Sequence, residues 1–141
     1  MTDKSQWNKK RINEVSYPVA NYEYSLLDST KSMGVTRKIL KRGSGKFKPS
    51  IGQYCTVHYV GTLEDGTVFD SSRKKGKPFT FRLGLGQVIK GWDEGIAQMN
   101  KGELCQLICP SDWAYTGVGV PGLIPPDATL TFEVELLKFE S

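Results

Sequence analysis

Apolar and polar residues alternate along several stretches after residue 34, a pattern typical of half-buried β-strands. This alternation, helped by β-branched and aromatic residues, predicts strands at 35–40, 54–60, 68–70, 79–84, 103–109 and 128–137. The last of these is the clearest, because every second residue in it is apolar. The segment 64–67 between two predicted strands reads Glu-Asp-Gly-Thr, which favours a tight turn.

A single segment, residues 90–99, has the spacing of a helix. Trp92, Ile96 and Met99 stand at positions i, i+4 and i+7, so a helix would bring them onto one apolar face. Gly102 follows and could supply a left-handed cap at the end of the helix. Five or six strands with one short helix predict an α+β fold, in which a curved antiparallel sheet wraps around the helix.

Residues 1–33 differ from the rest of the chain. They show no sustained period of either strand or helix and hold few apolar anchors. We expect a weakly ordered or partner-binding extension, with one or two helical turns near residues 5–14, followed by a single domain over 34–141. The dipeptide Tyr17-Pro18 leaves open that this extension folds back onto the domain and occupies a pocket there.

Hydropathy and net charge argue against several classes of protein. No apolar run approaches the roughly 18 residues that cross a bilayer, and the amino terminus lacks the apolar core of a signal peptide, so a cytoplasmic protein with possible nuclear entry is expected. The net charge of +4 is modest, and no nucleic-acid-binding motif is present. We therefore expect no nucleic-acid or membrane partner, and interpret the basic cluster 73–77 as a solvated loop.

The cysteines do not indicate a metal site. There are three of them, without CxxC spacing, and the chain has one histidine. We expect buried thiols that act as small apolar side chains, with no metal and no cofactor. Cys105 and Cys109, with Leu107 between them, should share one face of a strand.

Four segments concentrate aromatic and aliphatic residues beside turn residues: 57–72, 86–95, 113–115 and 121–126. Together they suggest an apolar cup with one or two polar groups at its edge. Such a cup would suit an apolar ligand that carries carbonyl groups, such as a proline-containing peptide. For each residue alone, a purely structural role remains open: Trp92 as a core side chain, Tyr115 as a half-buried tyrosine, and Asp70 as a solvated turn residue.

Residues 34–141 resemble the FKBP family, the tacrolimus- and rapamycin-binding class of peptidyl-prolyl isomerases. The resemblance follows the family's order and spacing without a gap. It rests on the motifs Val57-His58-Tyr59-Val60-Gly61, Leu63-Glu64-Asp65-Gly66, Phe69-Asp70-Ser71-Ser72-Arg73, Val88-Ile89-Lys90-Gly91-Trp92-Asp93-Glu94-Gly95, Ala97-Gln98-Met99 and Gly122-Leu123-Ile124-Pro125-Pro126-Asp127-Ala128-Thr129-Leu130.

The resemblance implies the residues of a ligand site. Trp92 would form its floor, Asp70 and Tyr115 would be its polar groups, and these three would be the catalytic residues. Ile89 would also offer its backbone N–H to a ligand carbonyl. The remaining walls would be Tyr59, Phe69, Val88, Ile89 and Phe132, with Phe79 further out and Val120, Leu123 and Ile124 on a loop over the mouth.

The resemblance also implies the activity: acceleration of Xaa-Pro isomerisation in protein clients, and binding of macrolides such as tacrolimus and rapamycin. We expect a monomer. The resemblance leaves open a protein partner that binds the chain only when a macrolide is bound to it. The chain departs from the family's sequence pattern at two positions that bear on the rate of isomerisation. Lys75 stands where many members have arginine, and Thr116 stands where glycine is usual. They keep an alternative open, a low-turnover module that binds proline loops and regulates a partner.

Overall fold

The computed structural model describes residues 34–141, so the predictions made for residues 1–33 lie outside the described residues. The described part folds as an antiparallel sheet with short helices in its connections. Its strands are β1 (Thr36–Lys41), β2 (Tyr54–Thr62), β3 (Val68–Ser71), β4 (Phe79–Arg82), β5 (Leu104–Cys109) and β6 (Leu130–Glu140). Its helices are α1 (Ser72–Lys75), α2 (Lys90–Ile96) and a single 3-10 turn, Ser111–Trp113. The predicted α+β fold class is confirmed.

All strand pairs of the sheet are antiparallel. The strand order is β1-β5-β6-β2-β3, and β4 pairs with β2. One side of β2 is thus occupied by β6 along its length, while β4 and β3 share the other side. Alternate residues of β2 are buried, namely Cys55, Val57, Tyr59 and Gly61, which gives the sheet one apolar face as the alternation predicted.

Helix α2 packs closely against that face. A methyl group added at Gly95 would lie 2.8 Å from the side chain of Leu107 on β5. Only glycine permits this approach, which brings the whole apolar side of the helix into the core. The predicted stripe is confirmed, since Trp92, Ile96 and Met99 are all buried.

The predicted end of this helix is wrong. The α-helix stops at Ile96 rather than at residue 99, and the chain continues in tighter turns. The N–H of Gln98 donates to the carbonyl of Gly95 at 3.2 Å, and the N–H of Met99 donates to that of Ile96 at 3.0 Å. Gly102 does have a positive φ of 84°. It lies, however, in the turn before β5, where its N–H donates to Leu136 at 2.7 Å.

The basic cluster 73–77 is not the simple loop that was expected. Its first three residues lie in α1, which has defined caps at both ends. The Ser71 side chain accepts from the N–H of Lys74 at 3.2 Å, and Gly76 ends the helix with a φ of 72°. This single turn fixes the position of Lys75 relative to the end of β3.

The three cysteines are free and buried, as expected of thiols that pack in a core. Burial raises the pKa of Cys55 and Cys105 to about 11, and it also raises the pKa of Cys109. Cys105, Leu107 and Cys109 occupy the buried face of β5. Within residues 34–141, the helices are too short to span a bilayer.

Candidate functional site

The side chain at the centre of the candidate site is Trp92, at the start of α2. It is 5% exposed, and four aromatic rings surround it. Their centroids lie 5.0 Å (Tyr59), 5.3 Å (Phe132), 5.8 Å (Phe81) and 6.0 Å (Phe79) from that of Trp92. Most of these contacts are edge-to-face, the geometry that aromatic quadrupoles favour. The indole N–H is buried without an acceptor.

Phe69 completes what we call the aromatic cluster: Tyr59, Phe69, Phe79, Phe81, Trp92 and Phe132. The Phe69 ring packs edge-to-face on Phe132, with centroids 5.6 Å apart. Both rings cover Gly61 of β2, which pairs with Phe132 of β6. A methyl group at Gly61 would lie 2.6 Å from the ring of Phe69 and 2.9 Å from that of Phe132. The absence of a side chain at this position therefore shapes the wall.

Val88 and Ile89 enter the site from the segment that leads into α2. Both are buried beside the aromatic cluster. The segment is held by Asp93, whose carboxylate accepts from the N–H of Gly84 at 2.9 Å and from that of Gly86 at 3.0 Å. Asp93 is itself 3% exposed. Because the carboxylate is buried, these charge-assisted hydrogen bonds are strong and position the segment.

A polar group lies at the edge of the cluster, where β3 ends. The hydroxyl of Tyr59 donates to Oδ2 of Asp70 at 2.6 Å. The ammonium of Lys75 lies 2.9 Å from Oδ1 of the same carboxylate. Both oxygens of Asp70 are therefore engaged, one by a half-buried bond and the other by a lysine that is itself largely exposed.

Residues 116–127, which we call the mouth loop, follow Tyr115. Backbone bonds hold the loop: Gly119 donates to Tyr115, just before the loop, at 3.0 Å, and Val120 and Ile124 exchange two bonds of 2.8 Å within it. Ile124 is buried in the apolar core, and Tyr115 and Val120 pack against that core. Leu123 is 37% exposed and does not belong to the core cluster.

The structure thus brings most of the expected site residues into one neighbourhood. The walls expected at Tyr59, Phe69, Phe79, Val88, Ile89, Trp92, Ile124 and Phe132 belong to the apolar core or pack against it, as do Val120 and Tyr115. Asp70 lies beside them through its bond to Tyr59. Leu123 is placed on the mouth loop, outside that cluster.

Sequence reasoning missed Phe81 and the identity of one donor to Asp70. Phe81 stacks on Phe79, with centroids 6.0 Å apart, and the alternation of Phe79-Thr80-Phe81 already places both rings on one face. A carboxylate at a strand end suits neighbouring hydroxyl donors, but the sequence does not name Tyr59 as the donor, since Tyr59 was expected only as a wall. The resemblance already links position 75 with the polar residues of the site, and α1 brings Lys75 to Asp70.

Comparison with known proteins agrees with this geometry. The family model described as FKBP-type peptidyl-prolyl cis-trans isomerase matches residues 45–137. The chain is 56% identical over 108 residues to "Peptidyl-prolyl cis-trans isomerase Fkbp12" of Drosophila melanogaster, an alignment that covers 77% of this chain and 100% of that protein. Identity and coverage are the same for "FK506-binding protein 1" of Dictyostelium discoideum. "Peptidyl-prolyl cis-trans isomerase FKBP1A" of Xenopus laevis is 53% identical over 108 residues, with the same coverage of both chains.

The family match covers most of the described chain, and the relatives align over their full length or close to it. The aromatic cluster, both α-helices and strands β2 to β5 lie within the matched region, as does most of β6. The chain therefore belongs to the FKBP-type peptidyl-prolyl cis-trans isomerase family and is an enzyme of that class.

Proposed function

We propose that the aromatic cluster is the site at which this chain isomerises Xaa-Pro bonds, with the proline ring seated on Trp92. One observation carries the proposal: a tryptophan at the start of α2 is surrounded by aromatic rings, and a carboxylate bonded to one of them lies at the edge. The arrangement offers an apolar surface for the ring and polar groups at its margin for the adjoining amides.

The chemistry requires no nucleophile or base. Rotation about an amide bond meets a barrier of about 18–20 kcal/mol, because twisting removes its resonance. Water stabilises the planar, charge-separated amide more than the twisted one, so an apolar surface that displaces water lowers the barrier. Each gain of about 1.4 kcal/mol in the twisted state accelerates the reaction about tenfold. Catalysis here consists of desolvation and of preferential binding of the twisted bond.

Each polar residue then has a role in orienting the peptide. Tyr115 donates its hydroxyl to a substrate carbonyl, and the backbone N–H of Ile89 donates to another. Asp70 orients the hydroxyl of Tyr59 and faces the twisted carbonyl electrostatically. Support for this role is the short bond of 2.6 Å between Tyr59 and Asp70, which fixes the carboxylate at the edge of the cluster. Lys75 replaces the family's usual arginine with a single contact to Asp70.

The walls also suggest which ligands are preferred. The site is lined by aromatic and aliphatic side chains, so a bulky apolar residue before proline should be favoured in protein clients. We propose that macrolides such as tacrolimus and rapamycin bind the same walls, including Phe69, Val120, Leu123 and Ile124. The name of the Dictyostelium relative, which describes FK506 binding in that protein, supports this proposal. A partner that recognises only the drug complex would bind near the mouth loop.

We further propose that residues 34–141 are the catalytic domain, that residues 1–33 are an extension to it, and that the protein acts as a cytoplasmic monomer. The relatives align over 108 residues, which supports the domain boundary. Three buried thiols without a disulfide support a reducing compartment. Deleting residues 1–33 should leave isomerase activity and rapamycin affinity unchanged. An increase in either would show that the extension occupies the site.

A second function is favoured by one observation. Lys75 holds Asp70 through one point, without the planar fork of arginine, and is 55% exposed. A looser carboxylate would reduce turnover more than binding. The chain would then act as a module that holds proline loops of a partner and isomerises them slowly.

A protease-coupled or NMR exchange assay on Leu-Pro and Phe-Pro peptides separates the two functions. We expect the full chain to accelerate isomerisation and rapamycin to abolish the acceleration. Trp92→Leu should lose both the acceleration and rapamycin binding. Tight rapamycin binding without acceleration would select the binding module. Unchanged activity in Trp92→Leu would show that the aromatic cluster is not the site.

A further inference from the structure

The backbone at Thr116, the first residue of the mouth loop, is in an unusual conformation. Its φ is +56°, in the left-handed region that a β-branched residue rarely adopts. Within residues 34–141, one other residue besides the glycines has a positive φ, Asp127 at +59°. Asp127 is the last residue of the same loop, and a short polar side chain tolerates this region well. The strained residue is therefore Thr116.

Three hydrogen bonds hold Thr116 in place. Its N–H donates to the carbonyl of Ser111 at 2.7 Å, and its carbonyl accepts from the N–H of Asp127 at 3.1 Å. Its hydroxyl donates to the carbonyl of Tyr115 at 2.7 Å. The bond to Asp127 joins the two ends of the mouth loop. The strained residue is thus the point at which that loop is closed.

We propose that Thr116 is a strained hinge: its backbone strain makes the mouth loop open more readily, and this opening governs ligand release. Thr116 is a positioning residue, since it acts through the loop and through Tyr115. The second half of the proposal, ligand release, rests on the proposed function of the aromatic cluster.

The closed and the open loop differ in the backbone strain at Thr116. While the loop is closed, the hydrogen bonds force Thr116 to keep a disfavoured φ. When the loop opens, the bond that joins its two ends, from Asp127 to Thr116, breaks, and Thr116 relaxes to an ordinary conformation. Strain is therefore present in the closed loop alone and reduces the cost of opening it. Opening displaces Val120 and Ile124, which pack on the core beside the aromatic cluster.

Three substitutions separate backbone strain from the loss of the hydroxyl. Thr116→Gly and Thr116→Asn both remove the hydroxyl and relieve the strain, since glycine and asparagine accept a positive φ. Thr116→Val is the matched control: it also removes the hydroxyl, but it is β-branched and keeps the strain. Glycine also increases the conformational entropy of the unfolded chain, whereas asparagine does not, so the Asn variant controls for that effect.

Opening is measured without any ligand, by amide hydrogen exchange of the full chain followed by NMR. The reporters are the N–H of Asp127, bonded to Thr116, and the N–H of Gly119, bonded to Tyr115. We expect exchange at both to be about fivefold slower in the Gly and Asn variants than in the wild type. In the Val variant it should stay within about twofold of the wild type.

Ligand release is measured by stopped-flow displacement of rapamycin. We expect dissociation to slow in the Gly and Asn variants by about the same factor as exchange. Exchange that is unchanged or faster in those variants would overturn the proposal, as would equal slowing in all three variants. Slower exchange with unchanged dissociation would overturn the link to ligand release. A wild type without isomerase activity would refute the proposed function, whereas the exchange experiment would still decide the hinge.

Discussion

Replacing Gly61 by alanine tests whether the wall of the site depends on the missing side chain in β2. The added methyl group would lie 2.6 Å and 2.9 Å from two atoms of the Phe69 ring, and 2.9 Å from the ring of Phe132. Contacts this short are not tolerated, so at least one ring must move. Both rings belong to the aromatic cluster, and their packing on each other would be lost with that movement.

The expected cost follows from overpacking. Forcing an extra methylene into a packed core destabilises a protein by about 1–3 kcal/mol. Alanine regains about 0.5–1 kcal/mol of that through the lower freedom of the unfolded chain. We therefore expect Gly61→Ala to lose about 1–2 kcal/mol of unfolding free energy, a fall of roughly 5 °C in Tm. Urea and thermal denaturation followed by circular dichroism measure it, and rapamycin titration should show a parallel loss of affinity.

Gly45→Ala is the matched control. It makes the same chemical change, but the nearest atom to the added methyl group is Cβ of Lys101 at 3.6 Å, an ordinary contact. Its unfolding free energy should stay within about 0.5 kcal/mol of the wild type. The reasoning would be refuted if Gly61→Ala kept both stability and rapamycin affinity, or if the control lost as much as Gly61→Ala.

Two further predictions concern charge and pH. Lys75→Met should lower kcat/KM on a Leu-Pro peptide by about threefold with a Tm close to wild type, because an exposed ion pair to Asp70 adds little stability; a large fall in Tm would contradict this. Burial raises the pKa of Cys55 and Cys105 to about 11 and also raises that of Cys109. The folded state therefore favours the protonated thiols, and their contribution is complete below the unfolded pKa of about 8.5 and is lost as the pH rises toward 11. Urea titrations should show an unfolding free energy that falls by up to about 1.4 kcal/mol per pH unit for each thiol over that window, and a flat profile would refute it.

Much of the fold was readable from the sequence, because period-2 alternation fixes which residues face the core. Strands β2, β5 and β6 follow the predicted pattern closely. The apolar stripe of Trp92, Ile96 and Met99 also placed α2 correctly on the sheet. The predicted end of α2 was wrong. The i, i+4, i+7 spacing also fits a chain that leaves the α-helix after Ile96 in tighter turns and still buries Met99.

The features that could not be predicted depend on contacts between distant segments. A four-residue helix such as α1 is too short to show a hydrophobic period. In the sequence, its capping residues Ser71 and Gly76 are therefore what could indicate it. The carboxylate of Asp93, in the first turn of α2, accepts from two backbone N–H groups of the preceding segment, which the sequence alone does not indicate. The positive φ of Thr116 likewise becomes visible only with the backbone in place.

Two-dimensional NMR of the ¹⁵N-labelled chain, titrated with a Leu-Pro peptide, shows whether a proline imide sits on Trp92. Two buried indoles of the described chain serve as reporters: Trp92 lies in the aromatic cluster, whereas Trp113 packs under the ammonium of Lys90 at 4.5 Å. We expect a saturable shift of the Trp92 indole signal and a much smaller change at Trp113. A larger shift at Trp113, or none at Trp92 while the peptide is isomerised, would contradict it.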